Sequence, residues 1–194
     1  MARYRINFVY FKNLKLKKKN LNTKNNLFHV LKKREKEVLI QLLMNARMPD
    51  KHIAKILGTT QPTVTRIRQK LEKAGYIKNY KPVVSFQKFG VGIIVLTLFR
   101  IDFSKIDEIK KEVLPELKKM PQIILVAAGE GMGKTSLIVS VHKDFKEFEE
   151  MMIEMRKKWE KYIQDVEHFI FSVDKIYKEF SVEDAIIALL KSEK

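Results

Sequence analysis

The stretch from Gln61 to Lys73, QPTVTRIRQKLEK, gathers side chains of the kind that read duplex DNA. Amides, hydroxyls and a guanidinium can hydrogen-bond base edges in a major groove, while cations neutralise the phosphates on either side. Gln61, Thr63, Thr65 and Arg66 are the candidates for base-edge contact. Arg68, Gln69, Lys70 and Lys73 are the candidates for holding phosphates and setting register. A second string also invites chemistry. Ala128-Gly129-Glu130-Gly131-Met132-Gly133-Lys134-Thr135 fits a loose phosphate-binding P-loop, and Asp174 stands where a Walker-B acid would. That mechanism needs a helix N-terminus after the glycines. The residues that follow, Ser136 to Val141, are β-branched and strand-like, so the glycines are expected to form a β-hairpin turn. The four histidines show no metal-ligand spacing and no cysteine is present. Neither a catalytic set, a metal site nor a cofactor is expected.

A recognition helix needs a scaffold, and the flanking pattern supplies one. Val38, Leu39, Leu42 and Leu43 repeat at helical spacing from about Lys33 to Asn45. Ile53, Ala54 and Leu57 form the inner stripe of a second helix. Gly58 tolerates the left-handed backbone that ends that helix, Thr60 is placed to cap the next, and Pro62 falls in its first turn. Within the third helix Val64, Ile67 and Leu71 form the buried stripe. Gly75 stops it, and Tyr76 to Tyr80 is short and β-prone before Pro82. Three helices and a small β element describe a winged helix-turn-helix.

From Gly90 the texture changes. Gly92 to Ile101 is an apolar strand, and Ser104 with Asp107 is expected to cap a helix that Pro115 kinks. Gln122–Ala128 and Thr135–His142 are strands joined by the glycine-rich turn. Asp144 with Glu147 caps a long helix whose Phe145, Phe148, Met152, Met155, Trp159 and Tyr162 share a core face. Val166–Val173 is a fourth strand, and Ser181 with Asp184 caps a last helix, Val182–Leu190. The order β-α-β-β-α-β specifies a ferredoxin-like domain. The fold class is therefore α+β: residues 1–30 a basic extension, 31–81 the winged helix-turn-helix, 82–89 a linker, 90–175 the βαββαβ domain and 176–194 a C-terminal helix.

Charge follows the same division. Of the net +16, residues 1–30 hold eight cations and no acid, residues 31–81 are net +9, and residues 82–194 are net −1. A cationic N-terminal half suits a polyanion, with a separate task for the rest. The extension is expected to add phosphate contacts. With no apolar run long enough to span a membrane and no cysteine, a cytoplasmic protein is expected.

Over about Leu31 to Val173 the chain resembles the Lrp/AsnC (feast/famine) transcription regulators. The resemblance rests on Ala46-Arg47, Ile53-Ala54, Gly58, Val64, Arg66, Leu71 and Gly75-Tyr76-Ile77, followed by Phe89-Gly90-Val91-Gly92. It implies a dimer with an N-terminal winged helix and a C-terminal βαββαβ domain that pairs the chains and often binds amino acids. Two positions depart from that pattern. Pro49 stands where a capping Ser or Thr is usual, leaving Asp50 to offer charge to the helix dipole, and the turn at Gly129 to Gly133 has Met132 near the place of an expected Asp. The sequence thus reads as a homodimeric, sequence-specific, non-enzymatic DNA-binding transcription regulator whose partners are double-stranded DNA and itself. A small-molecule effector is expected near Gly129, Glu130, Gly131, Met132, Gly133 and Thr135. The rival readings are a P-loop nucleotide-binding protein and an architectural protein that binds DNA by charge alone.

Overall fold

Hydrophobic stripes at helical spacing fold the first part of the chain into three short helices. They are α1 (Lys33–Met44), α2 (Asp50–Ile56) and α3 (Gln61–Lys73). The computed structural model describes residues 31–179 and 181–192. The basic extension, with the phosphate contacts expected of it, lies outside the described residues. Val38, Leu39 and Leu42 of α1 meet Ile53 and Ala54 of α2 and Val64 and Leu71 of α3 in one apolar core. Gly58 (φ 59°) turns α2 into α3. Gly75 (φ 78°) ends α3 in a Schellman arrangement, with Tyr76 N–H donating to Leu71 C=O at 2.9 Å and Gly75 N–H to Glu72 C=O at 3.0 Å.

Two expectations for this part need correction. Thr60 occupies the N-cap position of α3, but its hydroxyl meets the Thr63 hydroxyl at 2.9 Å and caps no backbone N–H. The expected β element at Tyr76 to Tyr80 does not form; the segment has a bend at Tyr76 and no strand pairing. A strand needs a partner for its backbone groups, and although Val83 and Val84 follow Pro82, no described segment pairs with this one. Side chains hold the segment instead: Ile77 packs on the helical core and the Tyr80 hydroxyl donates to Glu72 at 2.8 Å.

The chain divides into two units, one running to Tyr80 and resuming at Ser181, the other from Lys81 to Phe180. In the first, α7 (Glu183–Ser192) packs against α1. An apolar cavity of about 260 Å³ lies there, lined by residues such as Leu39, Leu43, Tyr76 and Leu190. The Ser181–Asp184 cap is not seen; Ser181 Oγ donates to Glu183 at 2.8 Å.

The second unit is a four-stranded antiparallel sheet in the order β2-β3-β1-β4, with helices on one face. The strands are β1 (Ile93–Ile101), β2 (Ile123–Gly131), β3 (Lys134–His142) and β4 (Ile163–Ser172). The βαββαβ order is as the sequence predicts. Gly92, at the entry to β1, is required sterically: a Cβ there would lie 2.2 Å from the Lys143 carbonyl oxygen. The first crossover is not capped by Ser104 and Asp107. Asp102 takes that role, accepting from Ser104 N–H at 3.0 Å and Ser104 Oγ at 2.6 Å. The helix then runs through α4 (Ile106–Glu108), a π-helical stretch Ile109–Val113 and α5 (Leu114–Leu117). Pro115 explains the wide turn: it has no N–H to give and its ring crowds the carbonyl four residues back.

Asp144 caps α6 (Phe145–Trp159), accepting from Glu147 N–H at 2.9 Å, while the Glu147 carboxylate accepts from Lys143 N–H at 2.7 Å. Phe148, Met151, Met152, Met155 and Trp159 bury against Val95, Phe99 and Ile138 of the sheet. Phe145 does not join them; it is 56% exposed, and Met151 fills the stripe. Tyr162 lies buried just past the helix, its hydroxyl donating to Glu112 at 2.9 Å. A polar row runs through the same sheet face. His142, only 1% exposed, meets Ser140 Oγ through Nε2 at 2.9 Å, and His168 Nδ1 meets Thr97 Oγ1 at 3.0 Å. Burial holds the His142 imidazole below its ordinary pKa, with Glu147 opposing, and partial desolvation does the same at the more exposed His168, with Arg156 reinforcing.

Candidate nucleic-acid interface

At 100° per residue, the polar residues of α3 fall into more than one stripe. Arg66, Gln69 and Lys73 share the stripe farthest from the buried Val64 and Leu71. All three are exposed, and among the described residues no hydrogen bond or ion pair engages their side chains. Gln61 is exposed at the helix start, and Thr63 is half-buried with its hydroxyl on Thr60.

Three of the eight sequence-derived positions are tied to carboxylates on the other helices of the unit. Thr65 Oγ1 donates to Asp50 Oδ2 at 2.7 Å and also reaches Gln61 C=O at 3.1 Å. Arg68 Nε donates to Asp50 Oδ1 at 2.8 Å and Nη2 to Met48 C=O at 3.0 Å, and its guanidinium lies 5.8 Å from the Tyr80 ring centroid. Burial works against the Arg68 charge, but hydrogen bonds to Asp50 and Tyr80 outweigh it and raise the pKa. Lys70 Nζ donates to Glu35 Oε1 at 2.6 Å. Glu35 is 6% exposed and also accepts from Lys32 N–H at the start of α1, at 3.0 Å. The Lys70 bond holds the Glu35 carboxyl below its ordinary pKa, against the effect of burial.

The glycine-rich string is a hairpin turn, joining β2 directly to β3. Gly131 pairs with Lys134, and the two residues between them, Met132 (φ 54°) and Gly133 (φ 73°), both have left-handed backbones. Positive φ at both central positions is the turn that suits the twist of a two-residue hairpin. The positive φ falls on Met132 and Gly133, not on Gly131. Lys134 is 4% exposed and sits between the carboxylates of Asp165 (2.7 Å) and Glu167 (2.8 Å). Those two hydrogen bonds, Asp165 first, raise its pKa. A lysine held by two acids, followed by a strand, is not arranged to meet phosphate. Of the other effector candidates, Gly129, Glu130, Gly131, Met132 and Gly133 are exposed, and Thr135 Oγ1 accepts from Ile101 N–H at 3.0 Å.

Residues 31–78 match the family of winged helix-turn-helix DNA-binding domains. The HTH-type transcriptional regulator FL11 of Pyrococcus furiosus is 25% identical over 107 residues, spanning 55% of this chain and 67% of that protein. The transcriptional regulator NMB0573 of Neisseria meningitidis, solved with L-Met, superposes with a TM-score of 0.68 at 18% identity, covering 78% of this chain and 95% of that one. E. coli AsnC superposes with a TM-score of 0.67 at 17% identity, covering 79% and 99%. The fold of the chain is that of AsnC, and its N-terminal residues form a winged helix-turn-helix DNA-binding domain.

Sequence reasoning placed its candidate interface residues on α3 but did not separate the stripes of that helix. The missed residues are the acids behind it, Glu35, Asp50 and Glu72, which claim Lys70, Arg68 with Thr65, and Tyr80 respectively. A signal was present. Gln61, Thr65, Arg68 and Glu72 recur at i, i+4, i+7 and i+11, a stripe distinct from Arg66, Gln69 and Lys73.

Proposed function

We propose that this DNA-binding regulator works as a two-fold homodimer in which α3 reads a major groove through Gln61, Thr63, Arg66 and Gln69, with Lys73 on phosphate. The observation that carries the reading is the acid-free stripe of Arg66, Gln69 and Lys73, exposed and unengaged among the described residues. A helix face left without internal partners and without a carboxylate is suited to a polyanion with hydrogen-bonding edges.

The dimer is supported by the sheet face opposite the helices. The register brings Leu96 beside both Val139 and Phe169, Leu98 beside Leu137, and Leu125 beside Val139. Phe169 is 66% exposed. So contiguous an apolar face in a two-layer unit calls for a covering surface, and a second copy of the same sheet is self-complementary. Two recognition helices would then enter successive grooves about one helical turn apart. A small-molecule effector near the β2–β3 hairpin remains part of the proposal.

Selection from a pool of random duplexes tests the reading. Enrichment of one motif with two-fold symmetry is expected. Retention of all duplexes alike would replace it with an architectural protein binding by charge.

A further inference from the structure

Arg68 looks like a DNA-binding residue in the sequence, yet its guanidinium is engaged inside the first unit through Nε and Nη2. Asp50, the first residue of α2, accepts from Arg68 Nε with one carboxylate oxygen and from Thr65 Oγ1 with the other. Two points on α3, one turn apart, are thus tied to one carboxylate on α2. The same guanidinium donates to Met48 C=O in the turn before α2 and lies over the Tyr80 ring, whose hydroxyl returns to Glu72 of α3. The side chains of Arg68 and Asp50 are 19% and 17% exposed, so solvent competes weakly for either. A fork of fixed geometry bound to two acceptors, with a second tether from Thr65, resists rotation of α3 about its axis as well as sliding along it. Rotation is the coordinate that decides whether Arg66 and Gln69 meet base edges.

We infer that Asp50 is a positioning residue for DNA reading, acting through Arg68 and Thr65 to set the rotation of the recognition helix, and that Arg68 holds no phosphate. The inference rests on α3 being the reading helix. It separates two arginines of like type two residues apart: Arg66 reads, and Arg68 aims.

The test uses the full chain and the duplex that the wild-type protein enriches, with a random duplex for reference. Asp50→Asn and Arg68→Ala should each weaken binding to the enriched duplex by about tenfold, the size of one misplaced base contact, and leave random-duplex binding nearly unchanged. The slope of log affinity against log salt should stay at its wild-type value in both. The double variant should lose no more than the weaker single variant, because both changes cut the same tether. Thr65→Ser should keep wild-type discrimination where Thr65→Val loses part of it, a comparison that holds even if Asp50→Asn folds poorly. The inference is overturned if Arg68→Ala reduces the salt slope by about 0.9, the value of one lost phosphate contact, while Asp50→Asn binds as the wild type. Equal losses on both duplexes would overturn it too. Failure of the wild-type protein to enrich any duplex would remove the sequence-specific reading, and this inference with it.

Discussion

The two units of this chain are built inside out with respect to each other. The helical unit hides carboxylates and shows cations and amides: Glu35 is buried under Lys70, and Asp50 is nearly enclosed by Thr65 and Arg68, while Arg66, Gln69 and Lys73 face outward. The sheet unit buries a polar row, Thr97, Ser140 and His142, and shows leucine, valine and phenylalanine on its uncovered face. Each unit leaves exposed what it does not satisfy internally. For the first that is hydrogen-bonding and cationic capacity, which a polyanion satisfies. For the second it is apolar area, which only another apolar surface removes from water.

Reversing the character of the sheet face should have the largest effect. Leu96→Asp with Phe169→Asp places four carboxylates in a two-fold contact, and equilibrium sedimentation should show a monomer. Losing the second DNA-binding head should weaken binding to a two-fold site by about 100-fold or more, with little change on a half-site. A dimer that persists in the double variant would show that the apolar face is covered in some other way.

Blunting the helical unit's exposed stripe should cost less. Arg66→Ala should lower affinity for the enriched duplex by about 1–3 kcal/mol if its guanidinium pairs with a base edge. Random-duplex affinity at low salt should fall much less. Equal losses on both would assign Arg66 to phosphate and blur the contrast between the units.

The smallest effect concerns the buried polar row, and it sharpens the comparison through pH. Burial lowers the pKa of His142 in the folded protein relative to the value of 6.5 for a free ring, and desolvation acts in the same direction on His168, whose ring is more exposed and contributes less. Above about 6.5 the imidazoles are neutral in both states and the shift contributes nothing. As pH falls below that value the unfolded chain takes up protons that the folded rings resist, so stability declines with acidification. The melting temperature of the sheet unit should therefore drop modestly between pH 7 and 5, and His142→Gln should flatten part of that drop. The Glu35 contribution has a separate window. Its folded pKa lies below 4.5, so that stability is present above 4.5 and is lost as pH falls through the lowered value. A melting temperature constant from pH 7 to 5 would contradict the His142 assignment.

Much of this arrangement could be read from residues alone. The 3.6-residue repeat of Val64, Ile67 and Leu71, the glycine at position 75 and the apolar run of β1 determine helices and strands locally. A residue's backbone preferences and the periodicity of its apolar neighbours act over a few positions. The hairpin was legible for the same reason: strand-like residues directly after Lys134 leave no room for a helix. The charge division between the halves is likewise a property of composition, and by itself it suits a polyanion.

Partnerships between distant positions were not legible. Asp50 and Arg68 are 18 residues apart, Glu35 and Lys70 are 35, and both meet only because three helices close around one core. On the sequence Arg66 and Arg68 are equivalent cations; packing makes one a candidate reader and the other a brace. Lys134 looked available for phosphate until β4 set Asp165 and Glu167 beside it. The expected strand at Tyr76 to Tyr80 failed because pairing depends on a second segment that local propensity does not report. Sequence by itself determined which elements form and where charge and apolar surface accumulate, since those depend on neighbours a turn or a strand away. Only the tertiary structure decided which charged groups remain free, because a side chain's partners come from whichever element packs against it.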